Sequence, residues 1–259
     1  MGVLVARRVS KRKRPPKEIK MFKDEWKIEE RVFDRKTLLT IAYLQNHDVF
    51  LTLDYPVSMG KEAIVFRATT ESGEHRAVKV YRIENPSFIN MYEYMIGDPR
   101  FSHVRKRRVE VITNWAKKEF ANLNLAYRIG VHVPRPYAWR YNIVVMEFLG
   151  RDGLPYPTLQ HNGPIDPISD VEQILTDLRL MYKNGLVHGD LSEYNIIMTD
   201  EGPYLIDLAQ GVLLAHPKSG EFLEKGIRNI VDYFNKHLDH KLSYSTVLDY
   251  VKGLREGIW

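Results

Sequence analysis

The chain has 259 residues, 44% apolar and 27% charged, a balance that excludes wholesale disorder and fibrous classes and predicts one large domain or two small lobes. It has no cysteine, which excludes a disulfide framework, a cysteine zinc site and a thiol nucleophile and suits a reducing compartment. The net charge of +5 is unevenly spread: residues 1–20 hold eight Lys and Arg against Glu18 alone, and the remainder is slightly acidic.

Residues 1–20 cannot bury such a run of charge, so they predict a basic tail that is disordered when free. Phosphate binding on nucleic acid is the functional reading and a solubilising tail the bland one. No stretch approaches the ~18 apolar residues of a membrane span, and Val3–Ala6 is too short for a signal-peptide core. The expectation is a soluble cytoplasmic protein without membrane contact.

Residues 21–47 predict a helical extension in which Leu38, Leu39, Ile41, Ala42 and Leu44 sit near helical spacing. Phe50–Val57 alternates like a strand. Ala63–Thr69 and His75–Tyr81 form a hairpin across Glu71–Glu74. Residues 82–109 show no period and end in Arg105-Lys106-Arg107-Arg108, which predicts a long flexible loop. Glu110–Ile129 reads as helix stopped by Gly130. Tyr137–Arg140 and Asn142–Phe148 form a second hairpin, and the four prolines of 152–168 predict a loop or linker. Asp170–Asn184 is helix with Gly185 just past its end. Leu186–His188, Asn195–Met198 and Tyr204–Asp207 are short strands, and helices over about 220–238 and 244–256 close the chain. Strands dominate to about residue 149 and helices afterwards. The pattern predicts an N-terminal lobe over 48–149 and a C-terminal lobe over 150–259, with a ligand cleft between them.

The sharpest element is His188-Gly189-Asp190-Leu191-Ser192-Glu193-Tyr194-Asn195. A carboxylate on such a loop can accept a hydroxyl proton, and an amide carbonyl five residues on can reach a hard cation. Ile206-Asp207-Leu208 brings a second carboxylate to another strand end, so Asn195 and Asp207 together could hold Mg²⁺ on a triphosphate. Each residue alone is most often a turn Asp or Asn; the constellation is far rarer. Lys79, flanked by Val78 and Val80, is either a surface-facing residue of an alternating strand or a phosphate contact. Ser58-Met59-Gly60-Lys61-Glu62-Ala63 has one glycine and matches no standard phosphate loop, yet its hydroxyl and backbone N–H groups can cradle phosphate.

Ser58–Ala63, the Lys79 strand, Met146-Glu147-Phe148, His188–Asn195 and Ile206-Asp207 with Gln210 together resemble the RIO family of atypical protein kinases. The resemblance covers roughly residues 48–240. It implies an α+β fold, a trimmed two-lobe kinase with an antiparallel-sheet N-lobe, a helical C-lobe and ATP in the cleft with Mg²⁺ or Mn²⁺. It also implies serine/threonine protein kinase or ATPase activity in maturing the small ribosomal subunit, with the pre-ribosomal particle and its rRNA as partners. By resemblance, Lys79 orients the ATP phosphates with Glu119 as its ion-pair partner, and Ser58 and Lys61 lie at the phosphates. Met146 backs the adenine pocket, where the Glu147 carbonyl and the Leu149 N–H pair with the base. Asp190 is the catalytic base, Asn195 and Asp207 are the metal ligands, and Asp207 can itself become an aspartyl phosphate.

An ordinary kinase has Asp-Phe-Gly where this chain reads Asp207-Leu208-Ala209-Gln210. Only 52 residues follow Asp207, without Ala-Pro-Glu, so an activation segment and a peptide-docking subdomain do not fit and self-phosphorylation or ATP hydrolysis gains weight. The short stretch before the first strand and Gly97-Asp98-Pro99-Arg100-Phe101 resemble the first subfamily, of archaeal type. Small-molecule phosphotransferases of the aminoglycoside or choline kinase type also use His-Gly-Asp with Asn five residues on and remain the alternative. A non-enzymatic RNA-binding scaffold is the weakest of the three readings.

Overall fold

The computed structural model describes residues 33–101 and 103–259. The basic tail and most of the region before residue 35 lie outside them. Eleven strands and seven α-helices are resolved among the described residues.

The N-lobe is a five-stranded antiparallel sheet in the order β1-β2-β3-β5-β4. Its strands are β1 (Thr52–Met59), β2 (Ala63–Thr69), β3 (His75–Tyr81), β4 (Pro136–Arg140) and β5 (Ile143–Glu147). Alternation divides the central strands between two faces. Ile64, Phe66, Val78, Val80, Ile143 and Val145 form one cluster with Phe33, Ile41 and Leu44. Ala63, Ala77, Tyr81, Val144 and Met146 belong to the other, which runs on into the C-lobe.

Helix α1 (Arg35–Gln45) covers the first face. Asp34 caps its start by accepting from the Thr37 N–H at 2.8 Å, and Asn142 joins it to β3 by donating to Thr37 Oγ1 at 2.9 Å and the Tyr81 carbonyl at 2.7 Å. Its buried residues are Thr37, Thr40, Ile41 and Leu44. The sheet therefore meets an i, i+3, i+4, i+7 stripe that includes two threonines, and Leu39 is left 61% exposed. Hydrophobicity alone puts Leu39 on the wrong face.

The segment over 82–109 is not all loop. It holds helix α2 (Phe88–Ile96) and a 3₁₀ turn at Pro99–Phe101. Apolar residues surround this short helix, so no one-sided period marks it. Met91 and Met95 are buried, and Tyr94 packs edge-on to Trp115 and stacks on Phe222. Beyond it Arg105, Lys106 and Arg107 are exposed and precede α3 (Arg108–Arg128). Within residues 33–259, trypsin is expected to cut the native protein first near Arg105–Arg108, and more slowly with ATP bound. Mass spectrometry of the early fragments checks this; resistance without nucleotide would mean a fixed insertion.

A tight hairpin of β6 (Gly150–Arg151) and β7 (Leu154–Pro155) follows the sheet and leads to the single-turn helix α4 (Leu159–Asn162). These elements occupy part of the stretch expected to be loop. Helices α5 (Pro167–Lys183), α6 (Ser219–Phe234) and α7 (Tyr244–Val251) build the C-lobe. Asp166 caps α5 through the Ile168 and Ser169 N–H groups, with Pro167 just inside the start. On this base lie two antiparallel pairs, β8 (Leu186–Val187) with β11 (Val212–Leu213) and β9 (Ile196–Thr199) with β10 (Gly202–Leu205). Loop 188–195 leaves β8, and Asp207 lies two residues beyond β10. No helix of the described residues is long and apolar enough to cross a membrane.

Candidate active site

Lys79 sits in register with Val65 on one side and Val144 on the other, which aims its side chain at the cleft. It is buried, with its ammonium 2.6 Å from Glu119 Oε1 and 3.0 Å from Asp207 Oδ1. Glu119 comes from α3, and its second oxygen accepts from Tyr81 Oη at 2.6 Å. Tyr81 lies two residues beyond Lys79 and so on the same face. Three elements of the two lobes thus meet on one ammonium.

The electrostatics follow from burial and charge. Desolvation disfavours the Lys79 ammonium, but the carboxylates of Asp207 and Glu119 overrule it and raise its pKa. Burial pushes the Glu119 carboxyl up against the pull of Lys79 and Tyr81. At Asp207, desolvation opposes ionisation, yet Lys79 outweighs it and holds the carboxyl below its usual range. The Asp207 side chain is 45% exposed, so its carboxylate also faces the open cleft. Glu62, in the turn between β1 and β2, is pushed up by burial and by the nearby Asp207.

Loop 188–195 is held against the segment after β10. His188 Nε2 donates to the Ile206 carbonyl at 3.0 Å, and burial lowers the pKa of the ring. The Ile206 N–H donates to the Asn195 carbonyl at 3.0 Å. At Gly189, with φ of +83°, a Cβ would stand 2.3 Å from the Gln210 carbonyl oxygen. The loop can approach that turn only with glycine there. Asn195 turns its Nδ2 to the Asp190 carbonyl at 2.8 Å, and its Oδ1 has no protein donor among the described residues. Asp190 accepts from Gln210 Nε2 at 3.1 Å and lies 3.8 Å from the Lys225 ammonium.

Beside the sheet, Met146 is nearly buried. Glu147 exchanges hydrogen bonds with Arg135, its N–H to the Arg135 carbonyl at 2.8 Å and its side chain accepting from the Arg135 N–H at 3.0 Å. The Leu149 carbonyl accepts from the Tyr156 N–H at 3.0 Å, while its own N–H has no protein acceptor among the described residues. Ser58 is exposed near the end of β1. Lys61 follows Gly60, whose N–H donates to the Ala63 carbonyl at 2.9 Å. Lys61, an exposed residue, is also among the residues that line a cavity of about 250 Å³ on the α1 side of the sheet, with Asp34, Thr37, Val80, Asn85 and Asn142.

Lys79, Glu119 and Asp207 therefore converge, and Asp190 with Asn195 adjoins them. Sequence reasoning gave no role to Tyr81, Glu62 or Lys225. Tyr81 carried a usable signal, the period of two from Lys79, and Glu62 stands inside the Ser58–Ala63 turn; Lys225 is brought in by folding alone. The donors present suit a hard cation, since a carboxylate facing the cleft and an uncommitted amide oxygen are both oxygen ligands and Mg²⁺ takes few of these from protein.

A sheet lobe over a helical lobe, with a Lys–Glu pair above and Asp and Asn loops below, defines a kinase-like phosphotransferase. The RIO domain matches residues 64–247. RIO-type serine/threonine-protein kinase Rio1 of Haloferax volcanii is 39% identical over 213 residues, covering 82% of this chain and 73% of its own length. Its counterpart in Methanocaldococcus jannaschii is 37% identical over 235 residues, covering 90% and 79%. The Rio2 kinase of Chaetomium thermophilum, solved as an ADP/Mg²⁺-phosphoaspartate complex, superimposes with a TM-score of 0.60 at 20% identity, covering 83% of this chain and 69% of that one; this likeness is one of fold. The chain belongs to the RIO family, as a Rio1-type member of the archaeal kind, and is an ATP-dependent phosphotransferase.

Proposed function

We propose that this chain is a serine/threonine protein kinase and ATPase that uses ATP with Mg²⁺ or Mn²⁺ in maturing the small ribosomal subunit. The observation that carries the reading is the Lys79 ammonium shared between Glu119 and Asp207 at 2.6 and 3.0 Å. Glu119 and Tyr81 orient Lys79 for the α- and β-phosphates. Met146 backs the adenine, and the Glu147 carbonyl and Leu149 N–H pair with it. Ser58 contributes its hydroxyl at the phosphates. Lys61 contributes the backbone N–H that follows Gly60 in the β1–β2 turn. Asn195 and Asp207 hold the cation through oxygen, and Asp190 accepts the proton of the attacking hydroxyl. The bound cation neutralises charge developing on the phosphoryl oxygens.

Asp207 also serves as an acceptor. Its carboxylate oxygen forms a bond to the γ-phosphorus as the bond to the β–γ bridging oxygen breaks, and that electron pair leaves with ADP. Water then cleaves the acyl phosphate, returning the carboxylate and releasing inorganic phosphate. The related Rio2 complex contains a phosphoaspartate, which supports this step. The test is ATP turnover by the full chain with Mg²⁺, measured with and without purified small-subunit precursor. Stimulation by the particle supports the reading, and nucleotide binding without phosphate release or phosphoprotein refutes it.

The basic tail and the exposed Arg105–Arg108 are the proposed rRNA contacts. Phosphate contacts make log affinity fall with log salt by about 0.7 per contact on single strands. Deleting residues 1–20 is expected to flatten that slope and weaken binding to unrelated RNA sequences alike. ATP hydrolysis survives, because every proposed nucleotide contact lies at Ser58 or beyond. An unchanged slope would leave the tail only a solubilising role.

A further inference from the structure

Behind Asp207 lies a buried polar cluster that the proposed chemistry does not use. Lys118, the neighbour of Glu119 in α3, is fully buried. Its ammonium donates to the Ala209 carbonyl at 2.8 Å and also to the Gly211 carbonyl. Asn122, one turn further along and equally buried, donates through Nδ2 to the Leu208 carbonyl at 2.8 Å and the Gly211 carbonyl at 2.7 Å. Three carbonyls of the turn after Asp207 thus end on two side chains of the helix that carries Glu119.

The cluster continues outward. Asn122 Oδ1 accepts from Arg100 Nη2 at 2.8 Å. Arg100 also forks onto Asp98, with Nε 3.0 Å from Oδ1 and Nη2 2.6 Å from Oδ2. Asp98 is fully buried. A Cβ on the preceding Gly97 would stand 2.3 Å from His216 Nε2, so this segment is seated closely against the loop that leads into α6.

Two facts ask for a reason. Asp207 has φ 60° and ψ 61°, the left-handed region that a non-glycine residue occupies only when its surroundings impose it. Lys118 fills an interior position where an apolar side chain would pack without losing solvation, and burial pulls its pKa to about 7. Anchoring the carbonyls that follow Asp207 answers both.

We propose that Lys118, Asn122 and Arg100 are positioning residues for Asp207, so that the Gly97–Phe101 segment sets the metal affinity of the cleft. The inference rests on the reading of Asp207 as a metal ligand. None of the three touches Lys79, Met146 or the β1–β2 turn in the contacts above, so nucleotide binding without metal should be spared.

The test titrates Mn²⁺ into the full chain saturated with a non-hydrolysable ATP analogue, followed by electron paramagnetic resonance. Arg100→Ala is the main variant, because Arg100 is partly exposed; thermal unfolding is measured alongside, since the change leaves the buried Asp98 carboxylate without its fork. Lys118→Met, of similar shape, is the second. Each is expected to weaken Mn²⁺ about tenfold and to change metal-free binding of the analogue less than twofold. In an Asp207→Asn background the same substitutions should change Mn²⁺ affinity less than twofold, because the residue they position no longer supplies a charged ligand. An equal loss in both backgrounds, or no loss in either, overturns the proposal. If Asp207→Asn alone leaves Mn²⁺ affinity unchanged, the metal-ligand reading falls and this inference with it.

Discussion

Asp190→Ala is expected to lower phosphoryl-transfer turnover by about 10²–10⁴-fold, the range a positioned general base contributes, while ATP affinity stays within several-fold. The reason is where Asp190 points. Its carboxylate meets Gln210 and Lys225, from the turn after Asp207 and from α6, and makes no ion pair with Lys79. Its backbone carbonyl, not its side chain, holds the Asn195 amide, so the alanine variant keeps that metal ligand in place. A base that contacts only the acceptor adds little to ground-state binding of the nucleotide, so the loss falls on kcat. Steady-state kinetics paired with a nucleotide-binding titration reads both quantities. Equal loss of binding and turnover would assign Asp190 to the nucleotide rather than the acceptor.

The neighbours of Asp190 show why part of this site cannot be read from sequence. Gln210 is 20 residues away and Lys225 on another helix; only the close approach at Gly189 brings the first into reach. Lys118 is further still, 91 residues from its Ala209 acceptor, and in sequence it looks like an ordinary helical lysine. Lys79 was easier to single out: flanked by two valines it is either a surface-facing residue of an alternating strand or a phosphate contact, and the hairpin before it favours the second. The hairpin around it was legible to the residue: Ala63–Thr69 and His75–Tyr81 are the bounds of β2 and β3, set by alternation and by the turn at Glu71–Glu74. Helix α2 was not legible, since apolar residues surround it and no side chain caps its start. Its order comes from Tyr94 stacking on Phe222 of α6, a contact that no local pattern contains. Leu39 fails in the opposite sense, because the sheet selects Thr37 and Thr40 for its stripe. Local periodicity reports which residues prefer burial; the partner surface decides which obtain it.

Asp207→Asn is expected to abolish any alkali-labile phosphoenzyme, to weaken Mg²⁺ in the presence of ATP, and to cut turnover by at least as much as Asp190→Ala. Asparagine keeps the shape and an amide oxygen, but removes the charge that meets Lys79 at 3.0 Å and the nucleophilic carboxylate. Because the proposed ligand acts in both ground and transition states, the loss falls on metal affinity and kcat together, unlike that at Asp190. Lys79 retains Glu119 at 2.6 Å, so the buried ammonium is not left unpaired and the fold should survive. The acid limb of stability offers a separate check. Against desolvation, Lys79 holds the folded Asp207 pKa below the ordinary aspartate value, so its stabilising contribution is present above about pH 4 and is lost as the pH falls through the folded pKa. The variant lacks that contribution, and its acid-unfolding profile should be shallower over that window. Acyl-phosphate chemistry that persists in Asp207→Asn would move the acceptor to another carboxylate, and the half-buried Glu62, which faces the same cleft, is the first to replace in turn.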